Sequence, residues 1–292
     1  MIIKVKYKHM KKFWGRITAI TDLDGYDTII GSLSIILNID GAEEEILHDG
    51  KVKLIVYTSD LEKLKALDLG SDVKVEIIEY DPSIETEWKK YFKPQRVGKN
   101  IVIKPSWEEY TPRPEDIVVT IDPGIAFGTG LHGTTKGCII SLEKIIPELK
   151  GIDKTSLLDA GTGSGILAIA AHKFGIRNIT AIDNDIEAVN TAVENIKLNS
   201  IPLKEIKTEQ KELKNETGSY DIVIANILAE VIIDESVHVS SLLKPSGYLI
   251  LSGILIKEEK KVLEAFSKIK TLTFMSKIHI DEWSTICFSH KA

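Results

Sequence analysis

Three short stretches place acidic or amide side chains beside glycines or at the ends of apolar runs. "LLDAGTGSG" sets Asp159 ahead of Gly161, Gly163 and Gly165; "AIDND" sets Asp183 one βαβ step later; "IVIANILAE" leaves Asn226 polar among apolar neighbours. A glycine-rich turn between strand and helix lets the backbone approach an anionic or planar ligand. A carboxylate at Asp183 can accept from both hydroxyls of an adenosine ribose. The spacing is not that of a dinucleotide site. Ile166 stands where G-x-G-x-x-G wants its third glycine, and Asp159 would repel an incoming pyrophosphate. The Gly-Lys-Ser/Thr of a P-loop is absent. A ligand carrying a sulfonium and an amino-acid tail instead finds a carboxylate there favourable. Asp159 and Asp183 together therefore point to S-adenosylmethionine (SAM).

Asn226 falls where ligands bind in open α/β sheets, outside the carboxyl ends of the strands. Its side-chain carbonyl, with a backbone carbonyl of Ile227 or Leu228, can accept from a substrate amine and aim the nitrogen lone pair at a methyl group. That makes Asn226 the candidate catalytic residue. Each assignment has a plainer alternative: a ligand-free tight turn for the glycines, a helix N-cap for Asp183 with Asp185 competing, and an N-cap of "ILAEVIIDESV" for Asn226. A second glycine-rich stretch, "DPGIAFGTGLHGTT", holds four glycines between Asp122 and Thr135. Two such loops predict one wrapped ligand. The seven His and two Cys show no metal-ligand spacing.

These residues need a scaffold. From Thr155 onward the apolar runs "SLLDA", "NITAID", "YDIVIAN" and "GYLILSG" are short and nearly continuous, as strands buried on both faces should be, and helical patterns follow them. "TLTFMSKIHIDEWSTICFSH" has two strand patterns and no helix between them, so the last strand must return antiparallel. The expected fold class is α/β, a parallel sheet with one antiparallel strand, which is similar to the Rossmann-like SAM-methyltransferase domain. Upstream, "FWGRITAI", "EEEILHDGKVKLIVYT" with a turn at Asp49-Gly50, and "DVKVEIIEY" read as strands. They alternate with the helical patterns "YDTIIGSLSIILNI" and "DLEKLKAL". That order predicts a small ferredoxin-like α+β domain. The expected boundaries are 1–82 for this domain, 83–99 for a linker helix ending before Pro94, and 100–292 for the methyltransferase domain, entered through the strands "IVIKPSW" and "DIVVTI".

The 292 residues suit two domains, and 43% hydrophobic with 27% charged residues suits a globular protein. A net charge of -6 argues against sequence-independent nucleic-acid binding and fits a basic protein substrate better. Cys138 and Cys287 make no disulfide framework. No apolar stretch has signal-peptide or membrane-helix length, so the expected location is the cytoplasm, away from membranes.

"DPGIAFGTGLHGTT", "LLDAGTGSGILAIAA", "AIDND", "IVIANILAEV" and "KPSGYLILSGIL", in this order and spacing, resemble the ribosomal protein L11 methyltransferase family. The likeness is close from Trp88 to Gly253. It implies a SAM-dependent enzyme that methylates lysine side chains and the N-terminal amine of the large-subunit stalk-base protein, free or on the ribosome. It also implies that the N-terminal domain recognises that substrate. Cofactor contacts then fall on Thr135, Gly161, Asp183 and Asn226, with Asp159 and Gly163 beside them. Phe127 and Thr134 belong to the first loop, which would close over the methionine end; Phe127 is placed against the substrate's alkyl stem or in ordinary core packing. The chain departs from the family in having Gly133 where His-Pro-Thr-Thr is usual, and glycine loosens a turn that proline pre-sets. His132 is expected to structure this loop rather than act as a base. Two other readings remain: a methyltransferase of the same fold acting on RNA or a small-molecule amine, against which "NILA" lacks the Asn-Pro-Pro-aromatic pattern for bases, and a module that holds SAM without turnover.

Overall fold

The computed structural model describes residues 13–21, 41–47, 51–58, 63, 73–79, 92–122 and 132–291. They belong to two units, 1–91 and 92–292. In the first, β1 (Phe13–Thr21), β2 (Gly41–Ile46), β3 (Val52–Thr58) and β4 (Val73–Glu79) form an antiparallel sheet in the order β2-β3-β1-β4. This is the strand order of a ferredoxin-like sandwich. Alternation produces its buried face: Ile17 lies opposite Val56 and Ala19 opposite Leu54, all essentially inaccessible. Of the two helices expected here only Lys63, in the second, is described, and it is helical; the first, and the expected linker helix up to residue 91, fall outside the described residues.

The second unit opens with Phe92, which is buried in its core. Part of the expected linker is therefore strand: β5 (Gln95–Val97) pairs antiparallel with β6 (Ile101–Pro105), which pairs parallel with β7 (Ile117–Ile121). The main sheet has seven strands in the order β10-β9-β8-β11-β12-β14-β13. Its members are β8 (Ser156–Ala160), β9 (Asn178–Asp183), β10 (Ile206–Gln210), β11 (Tyr220–Asn226), β12 (Leu243–Leu255), β13 (Leu272–Ile280) and β14 (Trp283–His290). The strands from β8 to β12 pair in parallel, and β14 runs antiparallel to both its neighbours, as expected. β10 is not an apolar run. It lies at the sheet edge with only Ile206 buried, so its sequence carries no core signature.

Among the described residues of this unit the α-helices are α1 (Gly133–Ile145), α2 (Ile166–Lys173), α3 (Ile186–Leu198), α4 (Ala229–Asp234), α5 (Ser236–Ser241) and α6 (Glu259–Ser267). Period-two alternation explains why the strand runs are continuous: Leu157, Ile222, Ile224 and Ile250 enter one core, Leu158, Val223, Leu249 and Leu251 the other. The parallel sheet order fixes the site, because the ends of β8, β9 and β11 all emerge on one edge.

Candidate functional site

The turn after β8 is built by three left-handed glycines, Gly161 (φ 73°), Gly163 (φ 53°) and Gly165 (φ 80°). Closeness is the second reason for glycine here. A Cβ on Gly161 would lie 2.2 Å from Cγ2 of Ile227, and one on Gly165 would lie 3.0 Å from Cβ of Ala192 in α3. Four amides of this turn are already spent. Gly161 and Thr162 donate to the Ile182 carbonyl (both 2.9 Å), Gly163 to Asp183 Oδ2 (2.9 Å), and Gly165 to the Thr162 carbonyl (2.9 Å). A pyrophosphate would have to compete for these donors and face the Asp183 carboxylate.

Asp159 lies behind the turn and is fully buried. Its Oδ2 accepts from the Thr162 hydroxyl (2.7 Å) and the Ala168 amide (3.1 Å), while Oδ1 is buried without a hydrogen-bond partner. Burial pushes its pKa up to about 6, opposed by those two donors. Asp183, at the end of β9, faces the cavity. Its Oδ1 also takes the amide of Asp185 (3.1 Å). The cap of α3 is Asp185, whose Oδ1 accepts from Glu187 N (2.9 Å). With Asp185 in that role, Asp183 is left for a ligand.

Asn226 ends β11 and lines the same cavity of about 710 Å³. The N-cap of α4 is Leu228, so Asn226 is not consumed as a cap. Gly253 (φ 82°) sets this corner: a Cβ there would lie 2.1 Å from the Ile227 carbonyl oxygen, so only glycine lets the end of β12 press against that main chain. Sequence reasoning missed Gly253. It also missed Lys211, Glu212, Leu213 and Lys214 on the opposite wall, which follow the equally missed β10. Lys211 pairs with Glu216 and Lys214 with Glu212.

At the start of α1, Thr134 lines the cavity and Thr135 is buried without lining it. Nδ1 of His132 lies 2.8 Å from Oγ1 of Thr134, and the imidazole meets the Trp283 ring at 4.7 Å. Burial lowers the His132 pKa, although Glu282 and Asp281 pull the other way. Gly133 is needed for space, since a Cβ would lie 2.8 Å from the Ile280 carbonyl and 3.2 Å from Trp283 Cδ1. The β13–β14 turn occupies the volume a proline ring would need. Phe127, with the other three glycines of its stretch, lies outside the described residues.

The cavity thus gathers Gly161, Gly163, Asp183, Asn226 and Thr134. On the Asn226 side the wall adds the exposed Leu228 and Val231 and the carboxylates Asp234 and Glu235. The spent amides of the turn and the Asp183 carboxylate at the cavity wall suit a cationic adenosine ligand and not a phosphorylated one.

A family model, ribosomal protein L11 methyltransferase, matches residues 43–291. A ribosomal protein L11 methyltransferase of Geotalea uraniireducens is 46% identical over 209 residues, 69% of this chain and 65% of its own length. One of a Thermoanaerobacter species is 39% identical over 82% of this chain and 76% of its own. Among solved structures, ribosomal protein L11 methylase from Lactobacillus delbrueckii subsp. bulgaricus aligns with a TM-score of 0.61 at 31% identity, covering 69% of this chain and all of that one. The chain spans 59% to 65% of the length of the first few curated relatives it matches.

Proposed function

Because the chain belongs to the ribosomal protein L11 methyltransferase family, we propose that it transfers methyl groups from SAM to amino groups of the stalk-base ribosomal protein L11, on lysine side chains and the N-terminus. The observation that carries this reading is one cavity holding both Asp183 and Asn226, beside a glycine turn whose amides are spent. Bound SAM supplies an electrophilic methyl group on a sulfonium. Asp183 would hold the ribose hydroxyls, Gly161 and Gly163 would let the ligand lie close to the turn, and Leu213 with Ile182 offers apolar surface to a purine. Thr134 lines the amine side, and His132 holds the Thr134 hydroxyl from the start of α1.

Free lysine has a pKa near 10.4, so only about one amine in two thousand is neutral at pH 7. Asp234 and Glu235 attract the ammonium to the mouth, while Leu228 and Val231 cover its alkyl stem and favour the neutral form by desolvation. Asn226 Oδ1 then accepts an N–H and orients the lone pair for in-line attack. With SAM bound, the lone pair so oriented would take the methyl group as sulfur leaves with the bonding pair, and the amine's proton would pass to water. The two carboxylates on this wall also disfavour an RNA substrate. Cys138 and Cys287 are both buried thiols, in keeping with a cytoplasmic protein.

Labelled SAM incubated with purified L11 should put label on amino groups of that protein. Asn226→Ala should lower the rate a hundredfold or more, roughly the cost of a lost positioning contact, with S-adenosylhomocysteine affinity measured by calorimetry little changed. Asn226→Asp would hold the charged amine and should recover only at higher pH. If Asn226→Asp is faster than wild type at pH 7, the residue accepts the proton and the positioning role is wrong.

A further inference from the structure

Helix α3 does more than carry the Asp185 cap. Asn195 and Asn199, four residues apart on it, are 1% and 9% exposed. Both treat the edge strand β7 as a neighbouring strand would. Asn195 Oδ1 accepts from Asp122 N (2.8 Å) and Nδ2 donates to the Asp122 carbonyl (3.0 Å); Asn199 Oδ1 accepts from Thr120 N (3.0 Å) and Nδ2 donates to its carbonyl (2.6 Å). The match is metric, because four helical residues rise about 6 Å and two strand residues about 6.6 Å.

The two asparagines differ in one respect. Asn195 Nδ2 also donates to the carbonyl of Ser164 (2.9 Å), inside the glycine turn, whereas the second bond of Asn199 stays within α3, to the Asn195 carbonyl (2.8 Å). Ser164 is fully buried and lies between Gly163, which donates to Asp183, and Gly165, which rests on Ala192. One amide thus joins the exit of β7 to the turn that lines the cofactor cavity.

We propose that Asn195 is a positioning residue for the cofactor, holding the Ser164 carbonyl, and through it Gly163 and Asp183, in binding geometry against the main chain of Asp122. The inference rests on the reading that the cavity binds SAM. Loss of this amide loosens the turn without removing any group that touches the ligand.

The test titrates S-adenosylhomocysteine into the full chain as wild type, Asn195→Asp and Asn199→Asp. Each substitution keeps shape and acceptor oxygen but removes the donors, and only the first reaches Ser164. Asn195→Asp should bind about tenfold more weakly or worse, with KM for SAM rising more than kcat falls. Asn199→Asp should lose a similar amount of thermal stability yet keep affinity within about twofold. Equal binding by Asn195→Asp and wild type, or equal losses in both variants, overturns the proposal. If Asn195→Asp does not fold, amide exchange on wild type decides: the ligand should slow exchange at Asp122 N–H and leave Thr120 N–H unchanged, and an equal response at both overturns it. A wild type that binds no S-adenosylhomocysteine refutes the cofactor reading and this proposal together.

Discussion

Two carboxylates on adjacent strand ends do different work because their surroundings differ. Asp183 is met by amide donors at a cavity wall, and Asp159 is sealed behind the turn with one oxygen unpartnered. Burial raises the Asp159 pKa from 3.8 to about 6, so the native state binds this proton more tightly than the unfolded chain does. Its contribution to stability is therefore complete below about pH 4 and is lost as pH rises to about 6. The loss is on the order of 3 kcal/mol at most. Asp159→Asn keeps an acceptor for Thr162 and Ala168 and removes the charge, so it should flatten the fall of the ligand-free Tm between pH 4 and 7. Melting curves of the two proteins check this, and parallel slopes would show that Asp159 does not titrate in that range.

At the scale of elements, the start of α1 sets local preference against tertiary packing. His132 is extended (φ -65°, ψ 141°) and Gly133 is the first helical residue, so the backbone there would accept proline with little strain. The β13–β14 hairpin forbids it, because the Ile280 carbonyl sits 2.8 Å from where a Cβ would be. The hairpin is not free to withdraw. Glu259 at the head of α6 accepts from Lys277 and His279 of β13 and from Ser284 of β14, and these donors hold its pKa at about 2 against the pull of burial. Gly133→Pro should therefore destabilise by about 1–3 kcal/mol, the range for overpacking, and lower turnover by displacing Thr134. A raised Tm in that variant would mean that the hairpin yields and that a proline fits here.

For the whole molecule, we propose that substrate recognition lies in the unit 1–91 and the chemistry in the unit 92–292, which contains the cavity. Among the described residues, all that line the cavity belong to the second, and Phe92 is already part of its core. A chain beginning at Asp81 should bind S-adenosylhomocysteine as tightly as the full chain and lose methylation of L11. Equal rates on L11 for the shortened and full chains would remove substrate recognition from the first unit.

The chain of residues by itself determined the α/β class and the return of the last strand, and it singled out Gly161, Gly163, Asp183 and Asn226, which the structure brings to one cavity, because those signals are local: a glycine run after an apolar strand, a polar residue closing the next one. Three things were decided only in three dimensions. β10 is a polar edge strand, so neither it nor the Lys211–Lys214 wall behind it has a periodic signature. Gly253 and Gly133 are glycines because other segments, Ile227 and Ile280, come too close for a Cβ. Asn195 is an ordinary polar helix residue in the sequence, and only the closure of α3 over β7 and the glycine turn gives its amide three partners 31 and 73 positions away. Local sequence carries what a backbone prefers; contacts between distant segments determine which side chains the site can do without.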